Sequence, residues 1–147
     1  MKKKANSQKP TTQNTFLCSA IYLILSLLLT VSILYEATRS PIIWNETIQH
    51  LDKIVHFLVF SLLTFLIYKL VYFFGIKINW SHLLTVTIVV TGIGLVDELI
   101  QSLNPDRLPS FLDLLADFAG VLAVTLLMFR KIYSTKKNFS FTRIDNG

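Results

Sequence analysis

The sequence predicts an all-α membrane protein, folded as a compact antiparallel bundle of four transmembrane helices. Its 147 residues are 52% apolar and only 16% charged, whereas soluble domains are about a quarter charged. Four apolar runs reach the roughly 20 residues that a helix needs to cross a bilayer, at 16–35, 54–74, 83–103 and 111–129. This composition excludes a disordered chain and argues against a water-soluble enzyme.

The first apolar run is predicted to be a retained anchor. A cleaved signal peptide is the alternative, because Lys2, Lys3 and Lys4 precede the run. The run is too long for a signal-peptide core, and the residues 36–39 that follow it make a poor small-x-small cleavage site. The single cysteine, Cys18, excludes a disulfide within the chain and a cysteine-based zinc site.

The loops between the runs support an antiparallel bundle. Ser40-Pro41 is typical of an N-cap followed by proline in the first helical turn, and apolar residues then recur at helical spacing. We therefore expect a short interfacial helix in the first outer loop. A short turn at 75–82 and a Pro-containing turn at 104–110 join the remaining runs. The segment Ser110–Asp113 fits a capping box that begins the fourth helix.

The distribution of charge predicts the orientation in the membrane. Lys and Arg concentrate in the two tails and in the 75–82 turn, while eight of the nine acidic residues fall at the other ends of the runs. The positive-inside rule then places both termini in the cytoplasm. We expect a basic N-tail at 1–15, a membrane domain at 16–133 and a basic C-tail at 134–147. Topology and lipid contacts account for the basic residues, so no nucleic-acid binding is expected.

Polar residues fall together at the predicted outer ends of the last three spans. Charged groups within spans are costly, so they tend to face a partner or a wet cavity. We therefore predict a polar pocket that opens to the outer face. Its candidate residues are Asp52, Lys53, His56, Asp97, Glu98, Gln101, Arg107, Asp113 and Asp117.

The residue types in this pocket allow more than one chemistry. A histidine with several carboxylates can hold a divalent cation, and oxygen-rich sets favour Mg, Ca or Mn. Two carboxylates close together can differ in proton affinity, so that one acts as an acid and the other as a base. Arg107 and Lys53 can bind a phosphate or a carboxylate. No HExxH, GxSxG or Gly-rich phosphate loop is present, so the sequence does not decide whether the protein is an enzyme.

Simpler interpretations exist for several of these residues. Asp52 and Asp113 also have the positions of helix caps. Lys53 can extend to the membrane interface. His56 can make a hydrogen bond within the bundle. Asp97 and Glu98 point about 100° apart on a helix, so only one is expected to face a narrow seam. Asp117 lies one turn deeper than Asp113, where capping does not explain it. Small residues on the same helical stripes predict close helix packing.

The polar blocks resemble those of the VanZ-like family of small bacterial membrane proteins. The matching residues are Asp52-Lys53-Ile54-Val55-His56-Phe57 and Asp97-Glu98-Leu99-Ile100-Gln101, followed by Arg107, Asp113 and Gly120. The resemblance covers roughly residues 50–125. It departs at Asp117, where the family commonly has Asn, and at Val124, where a small residue is expected. It implies an envelope-associated role in the bacterial cytoplasmic membrane and a link to resistance to the glycopeptide teicoplanin.

Three functional hypotheses follow. The favoured one is an accessory protein that binds an anionic lipid or a cell-wall precursor headgroup in the pocket, with a divalent cation as a possible cofactor. The second is an enzyme acting on a lipid-linked headgroup, with Asp97 or Glu98 as base and His56 as acid or ligand. The third is a proton- or ion-coupled carrier, which four spans would support only as a homo-oligomer.

Overall fold

The computed structural model is all-helical over the residues that it describes, which are 12–39, 49–105, 107 and 110–144. Its helices are α1 (Thr12–Ala37), α2 (Gln49–Phe73), α3 (Trp80–Ser102) and α4 (Phe111–Ile144). The predicted all-α bundle of four helices is therefore confirmed. The interfacial helix was predicted to begin at Pro41 with Ser40 as its N-cap, and residues 40–48 lie outside the described part of the chain.

All four helices are long and apolar enough to cross a membrane. The qualifying segments are Gln13–Ala37, Leu51–Phe73, Trp80–Ser102 and Phe111–Ser134. Large apolar side chains such as Leu28, Ile88 and Leu127 are more than half exposed on the outside of the bundle. A soluble protein buries such residues, whereas a bilayer is an apolar solvent for them. The chain is thus a multi-pass membrane protein.

The turn between α2 and α3 is short because its backbone reverses at a glycine. Gly75 adopts a left-handed conformation with φ +75°, which costs glycine little. The Asn79 side chain then caps α3 by accepting a hydrogen bond from the backbone N–H of His82. This tight turn makes α2 and α3 antiparallel neighbours, as the sequence predicted.

The buried core comes mainly from α2, α3 and α4, with Ile33 contributed by α1, and Tyr68 of α2 makes hydrogen bonds to both α3 and α4. Phe60, Leu63 and Val90 are buried at its centre. The Tyr68 hydroxyl lies 3.3 Å from the Leu83 carbonyl oxygen and 3.1 Å from Thr125 Oγ1. In contrast, α1 packs only against α2 and α3 within the described residues.

Close packing of α2 against α4 occurs at Gly120. A Cβ atom there would collide with the backbone carbonyl oxygen of Phe57 and would lie 3.1 Å from the backbone nitrogen of Ser61. The Ser61 hydroxyl donates a hydrogen bond to the Gly120 carbonyl at 3.3 Å. This close approach agrees with the packing predicted from small residues. It also brings His56, the residue before Phe57, opposite the preceding turn of α4.

Candidate functional site

A buried pair of polar side chains joins α2 to α4. His56 Nδ1 lies 2.9 Å from Asp117 Oδ1. His56 is five residues into the α2 span, and Asp117 is six residues into the α4 span. Asp117 is fully buried, whereas the His56 side chain is 14% exposed. The pair therefore lies well inside the bundle, where a helix cap cannot explain the carboxylate.

A second pair lies about one turn closer to the helix ends. Lys53 Nζ is 2.9 Å from Asp113 Oδ1, with the carboxylate buried and the lysine partly exposed. Lys53 and His56 share a face of α2, as Asp113 and Asp117 share a face of α4. Asp52 stays largely exposed at the edge, with its Oδ1 3.9 Å from His56 Nε2. Lys53 therefore pairs with Asp113 across the contact between α2 and α4.

The third helix brings Asp97 to the same cluster. Its Oδ2 accepts a hydrogen bond of 3.0 Å from the Gln101 side-chain amide, one turn further along α3. One turn earlier, Gly94 leaves room for Asp117, whose Oδ2 lies 3.0 Å from where a Cβ on Gly94 would sit. Phe60 closes the other side of this contact. The absence of a side chain at position 94 therefore lets the carboxylate of α4 reach α3.

Glu98 is also buried, which differs from the expectation that only one of the adjacent acids faces the bundle. Its Oε2 accepts a hydrogen bond of 3.0 Å from the backbone N–H of Ser110. The seam is wide enough for both acids, since Asp97 faces α2 and α4 and Glu98 faces the start of α4. The predicted capping box is replaced as well, because Glu98 binds the N–H that Asp113 was expected to satisfy. Sequence reasoning missed this partner because Ser110 offers only its backbone.

Arg107 lies in the turn between α3 and α4, where its backbone N–H donates to the Asn104 carbonyl. No hydrogen bond or ion pair connects its guanidinium to the other candidate residues, all of which are described. Its Nε is nonetheless buried and lacks a hydrogen-bond partner within the described residues. Among the candidates, Arg107 is thus near the cluster in sequence but separate from its hydrogen-bond network.

Three buried carboxylate oxygens also lack a hydrogen-bond partner within the described part of the chain. They are Asp97 Oδ1, Glu98 Oε1 and Asp117 Oδ2. Charged atoms left unpaired in a buried site are costly. Five carboxylates face two permanent cations, Lys53 and Arg107, in the candidate set. The cluster is therefore acidic and is suited to attract a cation.

Two overlapping groups of side chains have the spacing of metal ligands. One contains Asp52, His56 and Asp113, and the other contains His56, Asp97 and Asp117. In each group, one ligand atom per residue lies within 4.8 Å of the others. The first group is partly exposed, whereas the two carboxylates of the second are buried. The second group also holds two of the unpaired oxygens.

Four helices that are long and apolar enough to span a membrane, with an acidic cluster among three of them, define a multi-pass membrane protein. The chain matches the sequence profile of the family described as VanZ/LLP1 over residues 2–133, and it belongs to that family. The resemblance seen in the polar blocks is thereby confirmed. Searches of curated proteins and of solved structures find no match to the chain.

Proposed function

We propose that the protein binds the phosphate-bearing headgroup of an anionic lipid or a lipid-linked cell-wall precursor in its acidic cluster. The observation that carries this proposal is a gradient of exposure along one polar path. The exposed fraction of the side chain falls from 63% at Asp52 to 31% at Lys53, 14% at His56 and 1% at Asp117. A headgroup entering beside α2 therefore meets the hydrogen-bond donors of Lys53 and His56 before it reaches the buried carboxylate of Asp117.

Two cationic side chains at this end suit an anionic ligand. The Arg107 guanidinium has a buried Nε without a partner within the described residues. Guanidinium groups bind phosphate through paired N–H donors. Lys53 is partly exposed and already held by Asp113. Arg107 is therefore the first contact that we assign to the phosphate, and Lys53 the second.

Neutral-lipid nanodiscs holding the purified chain provide the test of headgroup binding. We expect added phosphatidylglycerol or a polyprenyl diphosphate to raise the melting temperature, since a ligand at ten times its Kd stabilises by about 1.4 kcal/mol. Comparing these two lipids distinguishes a membrane lipid from a cell-wall precursor carrier. Arg107→Gln should abolish the rise, whereas Arg39→Gln, at an exposed arginine paired with Glu36, should not. Equal melting temperatures with and without both anionic lipids would contradict the proposal.

The proposed orientation places this cluster on the outer face of the bacterial cytoplasmic membrane, with both termini in the cytoplasm. Basic tails flank the four spans, and the acidic cluster lies at the opposite ends of the helices. Cell-wall precursors are used on the outer face. A role in tolerance to teicoplanin, which the family resemblance implies, would act through this same site.

Thiol labelling of single-cysteine variants in intact cells checks the orientation. In a Cys18→Ser background, Ser102→Cys lies at the exposed end of α3 and Lys77→Cys lies in the exposed turn before it. We expect a membrane-impermeant reagent to label position 102 in intact cells and position 77 only after permeabilisation. The reverse pattern would place the acidic cluster in the cytoplasm.

A further inference from the structure

We infer that His56, Asp97 and Asp117 form a binding site for one divalent cation. Each residue offers a ligand atom, and the three atoms lie within 4.8 Å of one another. The inference rests on the proposed function and deepens it, because a bound cation gives this acidic cluster a positive centre for a headgroup phosphate. The three ligands come from α2, α3 and α4, so the cation would hold these helices together at one depth.

The distance between His56 and Asp117 fits neighbouring ligands of one ion. His56 Nδ1 and Asp117 Oδ1 are 2.9 Å apart. In an octahedral site with bonds of about 2.1 Å, adjacent ligand atoms lie about 3.0 Å apart. An imidazole lone pair and a carboxylate oxygen repel at this distance unless a proton or a cation lies between them. The geometry alone thus allows either occupant.

The unpaired oxygens favour the cation over the proton. A proton between His56 and Asp117 satisfies that contact and leaves Asp97 Oδ1 and Asp117 Oδ2 without a partner. Both carboxylates belong to residues that are at least 98% buried, with exposures of 2% and 1%. Buried carboxylates are expensive unless they are paired or coordinate a metal. A divalent cation bound by both carboxylates gives each of these buried groups a partner of opposite charge.

Neighbouring residues fix the positions of the two carboxylates. The Gln101 amide donates to Asp97 Oδ2, which leaves Oδ1 as the free ligand atom of that carboxylate. Gly94 leaves the space that Asp117 Oδ2 occupies beside α3. Such outer contacts are typical of metal sites, where they fix the ligands and tune affinity. One imidazole nitrogen with carboxylate oxygens suits Mn²⁺ or Zn²⁺ better than Ca²⁺, which takes oxygen ligands.

Cation binding by the full chain is measured in the absence of added anionic lipid. The protein in neutral-lipid nanodiscs is stripped with EDTA and titrated with Mn²⁺ and with Zn²⁺ by calorimetry. We expect one ion per chain, with affinity lowered at least about tenfold by Asp97→Asn or Asp117→Asn. Glu36→Gln, which changes an exposed carboxylate in α1, should leave the affinity unchanged.

Alanine substitutions at two glycines of α3 supply a test that retains every ligand residue. Gly94→Ala inserts a methyl group 3.0 Å from Asp117 Oδ2, whereas Gly92→Ala in the same helix meets nothing within 4 Å. We expect only the first to lower Mn²⁺ affinity, by about tenfold or more. Equal affinities in the two variants would overturn the assigned geometry.

A spectroscopic measurement on the wild-type chain covers the case in which the carboxylate variants fail to fold. Pulsed electron paramagnetic resonance of bound Mn²⁺ should show coupling to a histidine nitrogen, and ¹⁵N-histidine labelling should change it. Absence of binding, or of nitrogen coupling, would overturn the inference. Cation binding without a headgroup effect would contradict the proposed function alone. A headgroup effect in EDTA with no cation binding would contradict this inference alone.

Discussion

Gly120→Ala is expected to lower the free energy of unfolding by about 1–3 kcal/mol, the usual cost of overpacking a well-packed interior. The new methyl group would collide with the backbone carbonyl oxygen of Phe57 and contact both the backbone and the side chain of Ser61. A backbone carbonyl cannot rotate away as a flexible side chain can, so α2 and α4 must move apart. That movement would also lengthen the contact between His56 and Asp117, which lies on the adjoining turns.

The control for this prediction is Gly92→Ala. It makes the same chemical change within α3, at a position where a Cβ meets nothing within 4 Å. Alanine favours a helix interior over glycine by roughly 0.5–1 kcal/mol, so this variant should keep or gain stability. Thermal unfolding of both proteins in one detergent compares them directly. If Gly120→Ala is as stable as its control, the helices are not held as closely as described.

Removing one partner of the His56–Asp117 pair should destabilise the EDTA-treated protein by about 3 kcal/mol or more, as for other buried charge pairs. His56→Ala leaves the buried Asp117 carboxylate without its only hydrogen-bond partner in the described chain. Asp117→Ala leaves the imidazole Nδ1 without its partner. The double variant removes both the unpaired carboxylate and the unpaired imidazole. It should therefore cost less than the sum of the single changes, by about 1–3 kcal/mol.

Denaturant titrations of the four proteins measure this coupling energy. Glu36→Ala with Arg39→Ala forms a matched cycle at an exposed pair whose atoms lie 3.7 Å apart. Exposed pairs of this kind contribute little, so that second cycle should be close to additive. Additivity in the His56–Asp117 cycle would show that the two side chains do not interact energetically.

The sequence predicted the features that depend on local pattern. Apolar run length predicted the four helices, and Ser110 predicted where α4 begins, since α4 starts at Phe111. The contact between Glu36 and Arg39, which are three residues apart on one helix, is of the same local kind. Because each depends on residues close in the chain, helical geometry alone was sufficient.

The partners within the acidic cluster could not be predicted, because they join distant parts of the chain. Lys53 and Asp113 are separated by 60 residues, and their contact depends on the rotation of two helices about their axes. The same rotation decides that Asp97 and Glu98 both face inward. Helical spacing shows only that two neighbouring acids point in different directions. It does not show that Asp97 binds Gln101 whereas Glu98 binds Ser110.

The depth of His56, Asp97 and Asp117 has an electrical consequence. They lie five or six residues inside the ends of their spans, which is about 8 Å at the rise of an α-helix. In the proposed orientation, an ion reaching them from outside crosses about a quarter of the membrane potential. A full crossing changes the energy of one charge by about 2.3 kcal/mol per 100 mV. The proposed divalent ion would therefore be favoured at this depth by about 1 kcal/mol per 100 mV, and its occupancy would then respond to the membrane potential.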